Sequence, residues 1–312
     1  MKVRSYAKVN LGLEVLGRRP DGYHDIRTLF QWTTLHDTVE FLALEAPEVR
    51  LRGDDPSVPW DETNLVARAA RLLREKAGCR TGVEIRVEKR IPAGGGLGGG
   101  SSNAAVTLWG LNAFWDLGLP GETLEGLARE LGADVPYFLT GGLCLGEGRG
   151  DILTPLPDLP CLPLVLAFPP FPVPTPTIYR NLDPASLTSD VEDSKMTQFF
   201  KARNPGVLTN ALEETIFRLY PQLREFKSFF LDEGAALSLV TGSGSAVFGL
   251  FEERSRAERC LEALGGRVEA VLVETLGRAQ GWQSIQVGVS PSGKAAGFGP
   301  AIRGFESSRP RK

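Results

Sequence analysis

Ile91-Pro-Ala-Gly-Gly-Gly-Leu-Gly-Gly-Gly-Ser-Ser102 is the stretch of sequence that decides the fold, because six glycines flank one leucine and two serines follow them. Apolar and polar residues alternate from Val83 to Val87, which predicts a strand before the stretch, and Ala105 to Trp115 has helical spacing after it. Glycine permits positive φ angles and a close backbone approach, so that several N–H groups can converge on one anion. The order strand, glycine loop, helix therefore predicts a phosphate site, with one of the two serines capping the helix.

Three other interpretations of the glycine stretch are weaker. A P-loop requires a lysine before the Ser or Thr of its motif, and Gly100 precedes Ser101 instead. A nicotinamide-dependent oxidoreductase is suggested by the formal fingerprint match of Gly94, Gly96 and Gly99, but that fingerprint follows an apolar parallel strand, and the strand preceding this stretch carries alternating charges. A flexible linker does not normally lie in register between a strand and a helix.

Alternating strands and helices with hairpins predict an α+β fold of two domains. The odd positions from Val3 to Val15 are mostly apolar, which predicts a half-buried strand whose polar face carries Lys8 and Asn10. Nine prolines lie between Pro155 and Pro176, and we place the domain boundary within that segment.

Three segments follow from that boundary. Residues 1–160 are expected to form the N-terminal domain and residues 161–290 the C-terminal domain, and residues 291–312 form a tail whose composition favours disorder. In the second domain the spacing of apolar residues predicts a helix over Val207 to Leu219 and a strand pair joined across Thr241 to Ser245.

The bulk composition excludes several classes of protein. A net charge of -3 with dispersed charges offers no field that would attract nucleic acid. The longest apolar run, Cys161 to Phe168, is too short to span a bilayer. The four cysteines form no C-x-x-C pair, which fits free thiols in a reducing compartment. These features predict a cytoplasmic protein without nucleic-acid or membrane partners.

Pro92 to Ala105 resembles the second signature of the GHMP kinase superfamily, which includes galactokinase, homoserine kinase, mevalonate kinase and phosphomevalonate kinase. Three glycines before the serines are typical of the branch that acts on cytidine diphosphate-linked methylerythritol. Further segments that fit this branch, in family order, are Ala7–Leu13, Arg19–His24, Gly132–Phe138, Pro174–Pro176 and Thr241–Ala246.

The resemblance implies an ATP-dependent small-molecule kinase with the GHMP kinase fold. That fold combines an N-terminal domain similar to ribosomal protein S5 domain 2 with a C-terminal ferredoxin-like domain, and the site lies between them. The residues that the resemblance assigns to ATP are Pro92, Ala93, Gly94, Gly95, Gly96, Leu97, Gly98, Gly99, Gly100, Ser101, Ser102 and Asn64.

Two residues are expected to carry the chemistry. By the family pattern, Asp134 takes the proton from the attacking hydroxyl and Lys8 holds that hydroxyl and the carboxylate in place. Phosphoryl transfer mostly needs alignment and charge stabilisation, and a carboxylate beside a lysine stays ionised at neutral pH. The alternatives are that Asp134 only caps a helix and that Lys8 is only a solvated strand lysine.

The resemblance also assigns a pocket for the small-molecule substrate, a cytidine diphosphate-linked methylerythritol. Aromatic rings on both faces of cytosine and polar groups at its edge make a plausible pyrimidine site. Its residues are Asn10, Tyr23, His24, Thr175 and Tyr179. The segment Thr241–Ala246, which is the third motif of the family, adds the loop residues Gly242, Ser243 and Gly244.

ATP and Mg²⁺ are the cofactors that the resemblance implies. The sequence contains no histidine and carboxylate cluster typical of a protein-built metal cage, so we expect Mg²⁺ to arrive with the nucleotide, with Ser101 or Ser102 as a candidate ligand. Two alternatives stay open: a homoserine or mevalonate type of kinase, and a catalytically silent ATP-binding relative. The chain is expected to be a monomer or a homodimer.

Overall fold

A computed structural model describes residues 1–189, 191–192, 194–202 and 204–287, which form two β-sheets with helices packed on them. The first sheet has the strand order β11-β1-β2-β4-β3, with β5 also paired to β2 and β6 to β5. Its strands are β1 (Lys2–Arg18), β2 (His24–Leu44), β3 (Val49–Gly53), β4 (Gly82–Glu88), β5 (Leu143–Glu147), β6 (Ile152–Pro155) and β11 (Gln286–Val287).

Four helices accompany the first sheet, and α2 is the central one. It is buried along nearly its whole length, and it contacts α1, α3 and α4 as well as β1 and β2. These helices are α1 (Leu65–Ala77), α2 (Gly99–Phe114), α3 (Gly121–Leu131) and α4 (Val135–Thr140). Leu65, Val66, Ala69, Leu72 and Leu73 have helical spacing in the sequence and predict a helix that stops at Gly78. That end is confirmed, because Gly78 is the C-cap of α1 with a left-handed φ of 61°.

The second sheet has the antiparallel order β10-β7-β9-β8. Along the chain its strands and helices follow the order β-α-β-β-α-β of a ferredoxin-like domain, so the α+β fold with a ferredoxin-like C-terminal half is confirmed. Its strands are β7 (Pro163–Phe168), β8 (Leu237–Val240), β9 (Val247–Leu250) and β10 (Glu269–Glu274). The helices after β7 are α5 (Thr175–Arg180), α6 (Lys195–Ala202), α7 (Glu213–Leu219), α8 (Gln222–Asp232), α9 (Arg254–Leu264) and α10 (Arg278–Ser284).

The predicted helix over Val207 to Leu219 is wrong in its first half. Leu13 of β1 forms an isolated parallel bridge with Asn210, accepts a hydrogen bond from the N–H of Ala211 and donates one to the carbonyl of Thr209. Backbone groups used in this way cannot form helical hydrogen bonds, so the regular helix begins only at Glu213.

Strand β1 is not half-buried as predicted. Lys8 and Asn10 on its polar face are each only 3% exposed, because loops from both halves of the chain cover that face. Residues of β1 contribute to all three apolar clusters of the described chain, and its Leu13 belongs to the core of the second sheet. The strand therefore carries its polar residues into the space between the two sheets.

The boundary predicted at residue 160 falls in the segment between β6 and β7. The chain afterwards returns to the first sheet, since Trp282 and Ile285 belong to its core and β11 pairs with β1. The exact division into domains therefore stays a prediction, and the predicted tail, residues 291–312, lies outside the described residues. Among the residues that the structure describes, no helix is long and apolar enough to cross a bilayer.

Candidate active site

The glycine loop has the backbone shape of an anion cradle. Gly94, Gly96 and Gly98 have φ angles of 75°, 76° and 71°, so left-handed residues alternate with others along the loop. Space also requires glycine, because a Cβ on Gly96 would lie 2.3 Å from the carbonyl oxygen of Thr241, and one on Gly98 would lie 2.6 Å from Cζ of Phe138. Larger residues are therefore excluded twice, by backbone conformation and by close neighbours.

Hydrogen bonds from two directions hold this loop in place. The N–H of Lys8 donates to the carbonyl of Leu97 at 3.0 Å, and the Thr241 hydroxyl donates to the carbonyl of Gly96 at 3.2 Å. The N–H of Ala246 donates to the carbonyl of Gly95 at 3.2 Å, and the Leu97 side chain is buried in the core. The interpretation as a flexible linker is therefore wrong.

The predicted capping role of the two serines is also wrong. Helix α2 begins at Gly99 with Gly98 as its N-cap, so both serines lie inside the first turn. Ser102 is buried and its hydroxyl accepts a hydrogen bond from the Ser5 hydroxyl at 2.7 Å, whereas Ser101 is partly exposed. Of the two hydroxyls, that of Ser101 is the one accessible to a ligand.

Lys8 is the buried cation of the site. Its Nζ donates to Oδ1 of Asn10 at 2.5 Å, lies 3.8 Å from Oδ2 of Asp134 and stands 5.5 Å from the centre of the Phe30 ring. Burial lowers the pKa of Lys8, and the nearby Asp134 carboxylate opposes that change. The alternative of a solvated strand lysine is therefore wrong.

Asp134 stands at the start of α4, as its position before Pro136 predicts. Its side chain forms no capping hydrogen bond, is 38% exposed and faces the same space as the Lys8 ammonium. A carboxylate that is open to a cleft and next to a buried cation can accept a proton from a hydroxyl bound between them. The alternative role as a helix cap has no hydrogen bond to support it.

A cleft of about 570 Å³ connects Lys8 and Asp134 to the aromatic residues predicted for the substrate. Its size suits a ligand as large as a nucleotide-linked sugar alcohol. The predicted residues that line it are Lys8, Asn10, Tyr23, His24, Gly96, Gly98, Asp134, Thr175, Tyr179, Gly242 and Ser243.

The other predicted residues lie outside the lining of this cleft. Asn64 caps α1 by accepting the N–H of Val66 at 2.9 Å, and Leu65 beside it approaches the position of Gly100. The predicted residues that do not line the cleft are Asn64, Pro92, Ala93, Gly94, Gly95, Leu97, Gly99, Gly100, Ser101, Ser102 and Gly244. Pro92, Ala93 and Gly95 line a separate cleft.

The aromatic end of the cleft is partly closed. The rings of His24 and Tyr179 are in contact, with centroids 4.9 Å apart, and Tyr23 is 57% exposed at the entrance. Burial lowers the pKa of His24, and the positive charge of Arg18 adds to that effect, so the imidazole is neutral at pH 7. A neutral imidazole can donate one hydrogen bond and accept another, as recognition of an uncharged base requires.

Sequence reasoning missed Arg149, which lies in the turn between β5 and β6 and lines the cleft. Its guanidinium stands 5.3 Å from the centre of the Tyr23 ring, and Asp151 fixes it through a hydrogen bond of 2.7 Å. The glycine-rich composition of Gly141 to Gly150 indicates a turn, but nothing local indicates that this turn meets Tyr23, because the contact is long-range.

The third motif contributes more than its glycines. The Thr241 hydroxyl, fully buried, accepts the N–H of Asn10 at 3.0 Å and also donates to the glycine loop. A Cβ on Gly242 would lie 3.3 Å from Oδ1 of Asn10, and the hydroxyls of Ser243 and Thr175 are 2.7 Å apart. Thr241 therefore joins β1 to the glycine loop through one hydroxyl group.

Comparison with known proteins places this geometry in a family. A family model for the GHMP kinases N terminal domain matches residues 64–142, and one for the GHMP kinases C terminal matches residues 196–270. The 4-diphosphocytidyl-2-C-methyl-D-erythritol kinase of Pelotomaculum thermopropionicum is 41% identical over 271 residues, which cover 86% of this chain and 94% of that relative.

Solved structures agree with the sequence comparison. A crystal structure of a 4-(cytidine 5'-diphospho)-2C-methyl-D-erythritol kinase is 40% identical and superposes with a TM-score of 0.77, covering 89% of this chain and all of that one. The Methanococcus jannaschii mevalonate kinase has a TM-score of 0.70 at 16% identity, covering 89% of this chain and 98% of its own, which indicates a shared fold only.

Substitution of Lys8 by methionine is expected to stabilise the protein. Because burial lowers the pKa of Lys8, keeping its ammonium charged costs folding free energy at every pH below that lowered pKa. The Lys8→Met variant should gain at least about 1 kcal/mol in the free energy of unfolding at pH 7, because one pKa unit corresponds to about 1.4 kcal/mol and the Asp134 side chain, 38% exposed, stays hydrated without its partner. This gain in stability should shrink as the pH approaches 10.5, the ordinary pKa of an exposed lysine.

Denaturant unfolding of Lys8→Met at several pH values measures this gain. Lys2→Met on the same strand is the control, since Lys2 is 53% exposed and should change little. A loss of stability in Lys8→Met at pH 7 would contradict the proposed cost of burying the ammonium.

Substitution of Gly98 by alanine is expected to distort the loop. The left-handed φ of 71° costs an L-residue about 1–2 kcal/mol, and the added Cβ would collide with the Phe138 ring. Thermal unfolding should therefore show a midpoint lower by at least about 3 °C.

Gly126→Ala is the matched control for Gly98→Ala. Gly126 lies exposed within α3 with no atom within 4 Å of the added Cβ, so its replacement should raise stability by up to about 1 kcal/mol. Equal midpoints for the two variants would mean that the loop does not need glycine at position 98.

Proposed function

The chain belongs to the 4-diphosphocytidyl-2-C-methyl-D-erythritol kinases of the GHMP kinase superfamily, and we propose that it transfers the γ-phosphoryl group of ATP to the 2-hydroxyl of 4-diphosphocytidyl-2-C-methyl-D-erythritol. It is an ATP-dependent small-molecule kinase of the non-mevalonate isoprenoid pathway. The observation that carries the proposal is a single cleft in which the Lys8 and Asp134 pair and an aromatic entrance adjoin the glycine loop.

We propose that the acceptor hydroxyl binds between Nζ of Lys8 and the carboxylate of Asp134. The hydroxyl oxygen forms a bond to the γ-phosphorus, the bond from that phosphorus to the bridging β,γ-oxygen breaks, and ADP leaves. Asp134 takes the hydroxyl proton. Lys8, which Asn10 holds at 2.5 Å, orients the hydroxyl and stabilises negative charge on it.

The glycine loop is proposed to bind the phosphates of ATP. Its alternating left-handed glycines and the first turn of α2 supply backbone N–H groups to an anion. Among the described residues no group of three or more His, Cys, Asp or Glu is placed to hold a metal ion. We therefore propose that Mg²⁺, which neutralises phosphate charge when bound, arrives with ATP, and that the partly exposed Ser101 hydroxyl is its candidate protein ligand.

The cytidine end is proposed to lie among Tyr23, His24 and Tyr179. The exposed Tyr23 ring offers one stacking face and Tyr179 another, and the neutral His24 reads the edge of the base. Because His24 and Tyr179 are in contact, we propose that one of these rings moves when cytosine enters. Thr175, hydrogen-bonded to Ser243, would contribute at the rim.

Four further assignments are proposed on less direct grounds. Asn64 is proposed to lie near the adenine end, because α1, which it caps, packs beside α2 at the loop. The domain boundary near residue 160, a cytoplasmic location and a monomeric or homodimeric state without nucleic-acid partners complete the proposal. A homoserine or mevalonate type of activity, or a silent ATP-binding relative, has no observation in its favour.

Acceptor specificity tests the proposed function. Coupled ADP release should be seen with ATP, Mg²⁺ and 4-diphosphocytidyl-2-C-methyl-D-erythritol, and not with homoserine, mevalonate or galactose. The Asp134→Asn variant should bind ATP normally but lose about 10²- to 10⁴-fold in kcat. Turnover of another acceptor would contradict the proposed substrate. Normal turnover by Asp134→Asn would contradict the proposed role of Asp134 as the general base.

Arg149→Met is expected to weaken substrate binding without affecting ATP. The guanidinium stacks at 5.3 Å on the ring of Tyr23 and so restricts that ring at the entrance. Loss of an exposed cation–π contact should raise KM for the cytidine substrate about two- to fivefold.

Steady-state kinetics with each substrate varied in turn measure this effect. Arg129→Met is a control, since Arg129 is exposed on α3 and pairs only weakly with Glu125 at 3.5 Å. An unchanged KM for the cytidine substrate in Arg149→Met would exclude the role of Arg149 at the entrance.

A further inference from the structure

Asp37 is a fully buried carboxylate on β2 that does not line the cleft. Its Oδ1 accepts the backbone N–H of Arg90 at 2.7 Å and that of Ile91 at 2.8 Å. These are the last two residues before the glycine loop. One oxygen of Asp37 therefore fixes the point at which the chain enters that loop.

The second oxygen of Asp37 reaches the other end of the loop. Oδ2 accepts hydrogen bonds from Nζ of Lys89 and from Nδ2 of Asn103, the latter at 3.0 Å. Asn103 lies in the first turns of α2, directly after the two serines. A single side chain thus binds the entry and the exit of the segment from Pro92 to Ser102.

Buried neighbours on β1 complete this arrangement. Ser5 pairs directly with Asp37 in the β1–β2 register, and its hydroxyl accepts Nδ2 of Asn103 at 3.0 Å. The Ser5 hydroxyl donates to that of Ser102 at 2.7 Å. Both amide hydrogens of Asn103 are therefore used, and the start of α2 is fixed to the sheet rather than to solvent.

Four protein donors surround the carboxylate of Asp37. Burial raises the pKa of Asp37, while the Lys89 ammonium and the N–H groups of Arg90 and Ile91 oppose that rise. Four donors around one buried carboxylate favour its ionised form. A neutral amide of the same size at position 37 would turn one donor toward Lys89 and Asn103, which are themselves donors.

We propose that Asp37 is a positioning residue for ATP, which sets the curvature of the glycine loop by holding its two ends together. This inference rests on the proposed function in one respect, namely that the loop binds the phosphates of ATP. The loop must present several N–H groups to one anion. The anion binds most tightly when those groups are already aligned before it arrives. Asp37 never touches the nucleotide and acts only through Lys89 to Ile91 and Asn103.

The test compares Asp37→Asn with the matched variant Glu14→Gln. Glu14 is also a buried carboxylate with a cationic partner, Arg27 at 3.3 Å, and a backbone donor, the N–H of Met196 at 3.0 Å, but it contacts no part of the glycine loop. Both variants should lower the thermal midpoint. Only Asp37→Asn should also weaken nucleotide binding, because only Asp37 holds the ends of the glycine loop.

Isothermal titration with ADP and Mg²⁺ gives the direct measurement. Asp37→Asn should bind ADP about tenfold or more weakly and raise KM for ATP equally, with KM for the cytidine substrate unchanged, while Glu14→Gln should bind ADP like the wild type. The proposal would be overturned if Asp37→Asn lost affinity equally for the nucleotide and for the cytidine substrate. It would also be overturned if Glu14→Gln lost as much affinity for ADP as Asp37→Asn.

Ser5→Ala keeps the test decisive if Asp37→Asn fails to fold. It removes one hydroxyl from the buried arrangement and should weaken ADP binding about two- to fivefold, since its two neutral hydrogen bonds, to Asn103 and to Ser102, are lost. Unchanged ADP affinity in Ser5→Ala, with Asp37→Asn unfolded, would also overturn the proposal. A wild-type protein that binds ADP but does not turn over the cytidine substrate would refute the proposed function alone, because the ADP titration still decides the role of Asp37.

Discussion

The burial of the Lys8 ammonium is the constraint on which the rest of the site depends. A charge only 4% exposed on its side chain needs groups that replace water, and Asn10, Asp134 and the face of Phe30 provide them. Those groups come from β1, β2 and the start of α4. The fold must therefore bring three separate segments to one point, and the proposed role of the cation at the acceptor hydroxyl accounts for this cost in stability.

Two loops, one from each half of the chain, enclose that point. The glycine loop accepts a hydrogen bond from β1 through Leu97, and the loop between β8 and β9 joins it through the hydroxyl of Thr241. The glycine loop contacts Lys8 directly, and Thr241 also binds Asn10, so a change at the loop between β8 and β9 reaches Lys8 through Asn10 alone. The ferredoxin-like half of the chain thus helps to build the proposed catalytic centre even though Lys8 and Asp134 lie in the other half.

Local patterns predicted much of this architecture and failed where long-range contacts decide. The glycine loop, the end of α1 at Gly78 and the strand pair around the third motif follow from glycine conformation and residue spacing. The burial of Lys8 does not, because alternation along β1 cannot reveal that loops from elsewhere cover its polar face. The helix predicted from Val207 failed for the same reason, since pairing with β1 uses its first backbone groups.

The position of the new phosphate on the product tests the central claim most directly. If Lys8 and Asp134 hold the 2-hydroxyl, the phosphoryl group is added to an oxygen whose carbon bears no hydrogen. Proton-coupled ³¹P NMR of the product should then show the new monoester as a singlet without three-bond coupling to protons. A doublet would mean phosphorylation of the neighbouring secondary hydroxyl, a triplet would mean the primary hydroxyl, and either would contradict the proposed placement of the acceptor in the cleft.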